Sequence, residues 1–317
     1  MTTLSDVAEL VRAPAALSVP GDVVAGAAAA GALGPRTPAL AGASVLLYWA
    51  GMAANDWADR RLDAVERPER PIPSGRVTPT AALGLAAGLT AAGVGLAAAV
   101  GGRRAAALAV PLAASIWGYD LLAKNTAAGP AVMAACRGLD VLLGASGGRL
   151  VRALPSAATV AAHTWTVTAL SRREVSGADA ALPMRTLAGT AVVAASAAVA
   201  VPRRAAGAAP RRAGVAGAVG SDERATVDGG RTWSTGIAAA LPVALAGWYA
   251  ARYGAAQAQV VRDPSAGKVR AAVGAGITGL PALQGALTAR GGAGLLGLAV
   301  AAAAPLGRRL ARKVSPT

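Results

Sequence analysis

Three carboxylates with helical spacing are the residues of this sequence best suited to chemistry. Asp56, Asp59 and Asp63 are related as i, i+3 and i+7, so on a helix they share one face. Carboxylates crowded onto one face repel one another, and a nearby cation is needed to stabilise the arrangement. The candidates are the arginines that follow in the chain, or a divalent metal ion.

Magnesium explains this pattern best. Proteins usually hold Mg²⁺ by one or two carboxylates together with the phosphates of a substrate. Arg67 and Arg70, in the proline-rich stretch that follows, suit the remaining charge of a diphosphate, because a guanidinium binds phosphate oxygens bidentately. The alternative is a solvated charged face. It is disfavoured because the acids directly follow an apolar run of spanning length, Pro38–Ala54.

The elements that position these residues are apolar segments of membrane-spanning length. Apolar residues make up 54% of the 317 residues, with 40 Gly and no Phe, and the mean hydropathy is +0.47. Small residues at this density suit helices that pack closely in lipid. About nine spanning segments recur along the chain. We therefore expect an all-α integral membrane bundle, with residues 1–317 forming one polytopic domain and a poorly structured loop around residues 202–232.

The net charge of +15 narrows the range of partners. It arises mainly from arginines between apolar segments, as expected for loops that face anionic lipid headgroups. The sequence has no basic stripe with interleaved aromatic residues, so it does not predict nucleic-acid binding. The arginine-rich loop after Asp59 predicts a cytoplasmic position for the aspartates. We therefore expect a multi-pass protein of the cell membrane, the inner membrane of a bacterium. The single cysteine, Cys136, excludes an intrachain disulfide.

The three aspartates belong to a longer motif. It reads Asn55-Asp56-x-x-Asp59-x-x-x-Asp63 and is followed by Arg70-Pro71-Ile72-Pro73-Ser74-Gly75. This motif resembles the first aspartate-rich motif of the UbiA superfamily of membrane prenyltransferases. The resemblance implies a bundle of transmembrane helices that transfers an isoprenoid from its diphosphate to an acceptor. It also implies that Mg²⁺ bridges the diphosphate and the aspartates, while Asn55 positions the first acid by hydrogen bonding.

A second element of the same resemblance ends the fourth apolar segment. Tyr119-Asp120-Leu121-Leu122-Ala123-Lys124 resembles the Tyr-x-x-x-Leu-Lys element of UbiA proteins, in which the lysine helps to hold the diphosphate. Lys124 is then a catalytic residue that lies beside the aspartates. The alternative is a snorkelling lysine at a helix end, paired with Asp120.

Charged and polar residues inside the apolar segments are costly in lipid and need an explanation. Arg137 and Asp140 lie three residues apart, and they either bind the diphosphate or neutralise each other on one helix face. Asp22 follows Pro20-Gly21 and either faces a cavity or caps a helix. His163, the only histidine of the chain, is expected to be a hydrogen-bonded interior residue rather than a base.

The chain departs from the family pattern after the sixth apolar segment. Many UbiA enzymes carry a second aspartate-rich motif there, whereas residues 171–179 hold only Glu174 and Asp179, five apart and off a common helical face. Arg172 is a candidate to replace a metal as a ligand of the diphosphate. Together with Arg137-Gly138-Leu139-Asp140, this pattern resembles the EboC-type branch of the superfamily.

Two functions fit the sequence. The first is a Mg²⁺-dependent membrane prenyltransferase that acts on a prenyl diphosphate and an unidentified small-molecule acceptor. The second is a catalytically altered homologue that binds or transports a prenyl lipid or a metabolite, which the reduced second motif favours. For the first function, the expected metal ligands are Asp56, Asp59 and Asp63, the catalytic residues are these three and Lys124, and the substrate-binding residues are Asn55, Arg67, Arg70, Arg137, Asp140, Arg172 and Glu174.

Overall fold

The computed structural model of the chain describes residues 2–13, 18–179, 181–199 and 240–303, and every regular element in these ranges is helical. The all-helical fold predicted from the sequence is therefore confirmed for these ranges. The loop expected around residues 202–232 lies outside the described residues. The helices are α1 (Leu4–Leu10), α2 (Pro20–Ala30), α3 (Arg36–Glu66), α4 (Pro79–Gly118), α5 (Gly129–Gly144), α6 (Leu150–Ser171), α7 (Ala181–Ala198), α8 (240–249), α9 (Ala255–Arg262), α10 (Ala266–Arg290) and α11 (Gly294–Ala303).

Helix α3 carries the aspartates and is longer than the membrane core requires. Its 31 residues extend about 46 Å, whereas the hydrocarbon core of a bilayer is about 30 Å thick. A helix that begins at one membrane surface with Arg36 therefore projects its last turns into the opposite interface. The helix ends because Pro68 disfavours the α conformation of Arg67, which adopts φ −147° and ψ 64°.

Helix α4 consists of two helical halves that fold back on each other. Gly102 has φ 66° and ψ −160°, a conformation that glycine adopts without steric strain. The halves are antiparallel, because Trp117 Nε1 in the second donates a 3.0 Å hydrogen bond to Thr90 Oγ1 in the first. The two apolar segments that the sequence predicts here are thus separated at Gly102. The second half continues into a π-helical turn, Tyr119–Ala123, that ends at Lys124.

Small residues bring α2 and α5 into direct backbone contact at the centre of the bundle. Gly26 of α2 lies against the carbonyl of Val141, and Gly144 of α5 lies against the carbonyl of Val23. Neither glycine has space for a Cβ atom. Such close approach is how helices associate in lipid, where burial of apolar surface supplies little drive. Helices α3 and α4 pack on one side of this pair, and α6 and α10 on the other.

Three helices of the described chain are long and apolar enough to cross a membrane by length and composition. They are Arg36–Glu66, Pro79–Ala123 and Ala181–Ala198. Helix α11 is apolar but shorter. Helices α2 and α5 carry buried charged side chains, Asp22 in α2 and Arg137 with Asp140 in α5, and α3 carries buried Asp56 and Asp63. Charged groups in such helices face the bundle interior, so the polar chemistry of the protein is concentrated there.

Candidate active site

The segment after α3 folds back over the aspartates. Its turn is closed by Ser74, whose N–H and hydroxyl both donate to the Arg70 carbonyl, at 3.0 and 2.7 Å. Gly75 completes the turn with φ 76°, a value that favours glycine. Ile72 and Val77 are buried in a cluster with residues of α3. The loop is thereby fixed to α3, and the Arg70 side chain points back at the helix.

Arg70 joins two of the three aspartates. Its Nη1 lies 2.6 Å from Asp63 Oδ2 and 3.6 Å from Asp56 Oδ1. Arg67 Nη1 lies 3.5 Å from the other oxygen of Asp63, Oδ1. Asp56 and Asp63 are only 4% and 1% exposed, so these ion pairs are shielded from bulk water, which strengthens the attraction.

The third aspartate, Asp59, faces the end of α4. Lys124 donates from Nζ to Asp59 Oδ1 at 2.6 Å and to Asn55 Oδ1 at 3.1 Å. The lysine therefore contacts the motif itself and forms its ion pair there rather than with Asp120. The side chains of Lys124 and Asp59 are 16% and 24% exposed, which makes Asp59 the most accessible of the three acids.

One further basic residue, Arg12, contacts the aspartates and was not predicted from the sequence. Arg12 Nη2 lies 2.7 Å from Asp56 Oδ1. The two residues are 44 positions apart, and no helical or strand spacing connects them. The sequence signal for Arg12 is weak, since it is only a basic residue that lies just before the first apolar segment. We call the following residues the aspartate site: Arg12, Asn55, Asp56, Asp59, Asp63, Arg67, Arg70 and Lys124.

The aspartate site offers the type of donor that magnesium requires. Its carboxylate and amide oxygens are hard ligands, and Asp63 Oδ1 is buried without a hydrogen-bond partner. Within the described ranges, no group of three or more His, Cys, Asp or Glu side chains is arranged to hold a metal by itself. A metal at this position would therefore use one or two carboxylates and complete its shell with substrate or water oxygens.

Arg137 and Asp140 lie in a separate polar cluster. Arg137 Nε is 2.8 Å from Asp22 Oδ2, an ion pair between α5 and α2 in which both side chains are buried. Asp22 also accepts a 2.7 Å hydrogen bond from Gln284 of α10, and Asp140 accepts one from Ser44 of α3. Arg137 thus pairs with Asp22 rather than with Asp140, and Asp22 faces the interior rather than capping α2. We call these five residues the buried polar cluster.

A cavity of about 290 Å³ is lined by Arg137 of the buried polar cluster and by residues of α3 that precede the aspartates. The α3 residues are Tyr48 and Met52, and Met52 lies about one helical turn before Asn55 and Asp56. His163 also contributes to the wall, and its Nδ1 lies 2.8 Å from Tyr249 OH, as expected for a hydrogen-bonded interior residue. The other lining residues are Ser18, Val19, Met133, Thr164, Val167, Thr168, Ile277 and Leu280.

Comparison with known proteins places the chain in a family. Residues 18–206, more than half of the chain, match the UbiA prenyltransferase family. The chain belongs to the UbiA prenyltransferase family. UbiA proteins are integral membrane proteins, and the long apolar helices of this chain agree with that.

Individual relatives and a solved structure support the assignment to the UbiA family. Digeranylgeranylglyceryl phosphate synthase of Methanothrix thermoacetophila is 57% identical over 49 residues, 15% of this chain and 18% of that protein. The protein of the same name from Natronomonas pharaonis is 42% identical over 85 residues, 26% of this chain and 31% of its own. The matches thus span less than a third of these curated relatives. A solved digeranylgeranylglyceryl phosphate synthase structure shares the fold, with a TM-score of 0.63 over 92% of this chain and 99% of that one at 14% identity.

The region where many UbiA enzymes carry a second aspartate-rich motif has other contacts in this chain. Asp179 Oδ1 accepts a 2.9 Å hydrogen bond from the N–H of Leu182 in the first turn of α7, as a helix-capping side chain does. The Glu174 carbonyl accepts a 3.1 Å hydrogen bond from Arg270 Nη1, and partial burial raises the pKa of the Glu174 carboxyl. The contacts of the Asp179 side chain and of the Glu174 backbone are thus with α7 and α10 rather than with residues of the aspartate site.

Arg172 is the residue of this region that comes nearest to the UbiA motif. Its guanidinium donates to the carbonyl of Thr126, two residues after Lys124. Arg172 thereby joins the end of α6 to the loop that follows Lys124. Its side chain is exposed, and its contact with Thr126 puts it at the end of the bundle where Lys124 lies.

Proposed function

We propose that this protein is a membrane prenyltransferase, which transfers an isoprenoid from a prenyl diphosphate to a small-molecule acceptor. The observation that carries the proposal is the aspartate site, in which four bases from three separate segments surround three acids at one end of α3. The UbiA family and the two synthases described above support it. The bundle would have about nine spans and lie in a bacterial inner membrane.

The binding roles follow from the contacts. Asp56, Asp59 and Asp63 would hold magnesium, which neutralises charge on a diphosphate leaving group when it is bound. Lys124 is paired with Asp59, and Arg70 with Asp63 and Asp56, so an incoming diphosphate meets bases already in position. Asn55 holds Lys124 through its amide oxygen, and Arg67 and Arg172 add positive charge at the rim.

The reaction begins with cleavage of the bond between the allylic carbon and the diphosphate oxygen. The electron pair of this bond leaves with the diphosphate, and Lys124 and Arg70 stabilise the charge that develops on the oxygen. The allylic cation is then captured by a nucleophilic atom of the acceptor, which loses a proton. Because the bases are held by ion pairs before substrate arrives, little reorganisation is needed.

The cavity lined by Met52 and Arg137 suits the isoprenoid chain of the substrate. Its walls are mostly apolar side chains, among them Met52, Met133 and Leu280. Arg137 and Tyr48 belong to the polar part of the wall, so Arg137, together with Asp140 one helical turn further along α5, would shape the pocket for the substrates. The cavity therefore offers both an apolar and a polar surface to the two reactants.

A second function is favoured by the contacts of Glu174 and Asp179. A UbiA homologue without a second acidic motif could bind or transport a prenyl lipid or a metabolite without chemistry, as the resemblance to the EboC-type branch suggests. Tight Mg²⁺-dependent binding of a prenyl diphosphate with no product would support this function.

One assay separates the two functions. Membranes that contain the protein are incubated with a labelled prenyl diphosphate and Mg²⁺, and release of diphosphate is measured. We expect release by the wild type, loss of release in Asp59→Asn, and normal release in Glu66→Gln, an exposed acid on the same helix. Equal turnover of Asp59→Asn and wild type would exclude the mechanism.

A further inference from the structure

Arg12 has a strained backbone that turns its side chain toward the aspartate site. Its φ is 45°, and within the described ranges it is the only residue other than glycine with a positive φ. Residues with a Cβ atom rarely adopt this conformation, and it persists where surrounding contacts impose it. The Arg12 N–H donates to the carbonyl of Glu9 at 3.0 Å, so the conformation directly follows the end of α1.

Helix α1 supplies the contacts that impose this conformation. Thr3 and Asp6 form a capping box at its start. Arg76, from the loop after α3, lies 2.8 Å from Asp6 Oδ1 and 2.7 Å from Glu9 Oε2. Leu10 is fully buried in a cluster that includes residues of α3 and of the same loop. Helix α1 is therefore fixed both to α3 and to the loop that follows α3.

The ion pair of Arg12 with Asp56 joins an accessible base to an inaccessible acid. The side chain of Arg12 is 39% exposed and that of Asp56 is 6% exposed. An anion that approaches from outside therefore meets the guanidinium of Arg12 before it meets the carboxylate. The ion pair uses Nη2, and a guanidinium presents its other N–H donors in a planar fork that matches phosphate oxygens.

Asp56 does not depend on Arg12 alone. Arg70 Nη1 lies 3.6 Å from the same oxygen of Asp56, so the buried carboxylate stays compensated when Arg12 moves away. Arg12 also precedes residues 18–206, the part of the chain that matches the UbiA family. The family match therefore does not include Arg12.

We propose that Arg12 is a substrate-binding residue for the diphosphate group, a role that rests on the proposed function. Without substrate, Arg12 neutralises Asp56. When a prenyl diphosphate binds, the guanidinium transfers its hydrogen bonds to the phosphate oxygens and Arg70 compensates Asp56. The contacts of α1 keep Arg12 within reach of the site in both states.

The experiment measures equilibrium binding of farnesyl thiodiphosphate, an unreactive probe, to detergent-solubilised protein in a buffer that contains Mg²⁺. Arg12→Gln should weaken binding about 10- to 100-fold, the size of one charge-assisted hydrogen bond. Arg12→Lys should lose part of this, because a lysine keeps the charge but not the planar fork. Arg36→Gln, an exposed arginine at the opposite end of α3, is the matched control and should bind as the wild type does.

A chemical rescue distinguishes binding from a structural role. The Arg12→Cys variant is treated with an aminoethyl thiosulfonate, which restores a positive charge, or with a sulfonatoethyl reagent, which adds a negative one. The native Cys136 is buried, so reaction is directed to the introduced thiol. We expect the aminoethyl group to restore affinity at least tenfold relative to the sulfonatoethyl group.

Three outcomes would overturn the inference. Unchanged or tighter binding by Arg12→Gln would show that Arg12 serves only as the partner of Asp56. If the aminoethyl group does not rescue the weak binding of the Arg12→Cys variant, the role of Arg12 is purely structural. Failure of the wild type to bind the probe would exclude the proposed function, and with it the role of Arg12, whereas the first two outcomes leave the proposed function standing.

Discussion

Arg137 forms an ion pair with Asp22 across the contact between α5 and α2, with 2.8 Å between Nε and Oδ2. Both side chains are almost fully buried, so bulk water stabilises neither charge. An intact buried ion pair contributes little net stability, but loss of one partner leaves an uncompensated charge. Gln284 donates to Asp22 as well, at 2.7 Å, which connects α10 to the same charge.

Removal of Arg137 should therefore be more damaging than removal of the pair. We expect Arg137→Gln to reduce the free energy of unfolding by about 3–5 kcal/mol, because Asp22 is left buried and unpaired. The double variant Asp22→Asn/Arg137→Gln should recover much of this loss. Thermal unfolding of the detergent-solubilised protein compares the two. A double variant less stable than Arg137→Gln alone would contradict the argument.

Local sequence patterns were enough to predict the helix that carries the acids. The spacing of Asp56, Asp59 and Asp63 and the apolar run before them are both features of one helix, and α3 contains all of them. The break between the two halves of α4 also follows from local signals, since Gly101 and Gly102 interrupt an apolar run. In each case the relevant residues are neighbours in the chain.

Contacts between distant segments could not be predicted in this way. Arg12 and Asp56 are 44 residues apart, and Arg76 and Asp6 are 70 apart. With 31 basic and 16 acidic residues, charge alone allows many pairings, and helix packing selects among them. The partner of Arg137 illustrates the point, because the acid nearest in sequence, Asp140, bonds to Ser44 instead.

The backbone contact between α2 and α5 should tolerate no added methyl group. A Cβ atom at Gly26 would overlap the carbonyl of Val141, so Gly26→Ala must push the helices apart. We expect a loss of about 1–3 kcal/mol in the free energy of unfolding, measured by thermal unfolding in detergent. Gly88→Ala in α4 is the control, because its Cβ meets open space and should be neutral or stabilising by about 0.5–1 kcal/mol. Equal effects at both positions would contradict the predicted overlap.

The contact of Lys124 with Asp59 and Asn55 predicts a specific loss of activity. Lys124→Met removes a base that would stabilise charge on the leaving diphosphate, and we expect diphosphate release to fall about 100-fold or more. The measurement is a single-turnover assay with labelled prenyl diphosphate. Lys268→Met, an exposed lysine in the first turn of α10, should release diphosphate at the wild-type rate. If both variants retain the wild-type rate, Lys124 has no role in the chemistry.

The attachment of α1 to the aspartate site should depend on pH. Hydrogen bonds from the Thr3 backbone and hydroxyl, and then Arg76, hold the pKa of Asp6 below its ordinary value of 3.8, and the bonds to Glu9 and Asp6 raise the pKa of Arg76. Because the folded-state pKa of Asp6 is lower than the unfolded one, its contribution to stability is present above about pH 4 and is lost as the pH falls through the folded-state value.

A spin label on α1 can follow this release directly. Leu4 is 90% exposed, so a label attached to the Leu4→Cys variant reports the motion of α1 without disturbing its packing. We expect an immobile label at neutral pH and a more mobile one once Asp6 is protonated, because Arg76 then loses its ion pair with Asp6. The substitution Asp6→Asn, introduced into the labelled Leu4→Cys variant, should raise the mobility of the label at neutral pH. A label at Val151, 77% exposed at the start of α6, is the control and should show no change over the same range. If the Leu4 label stays immobile after Asp6 is protonated, the ion pair of Asp6 with Arg76 is not what holds α1 in place.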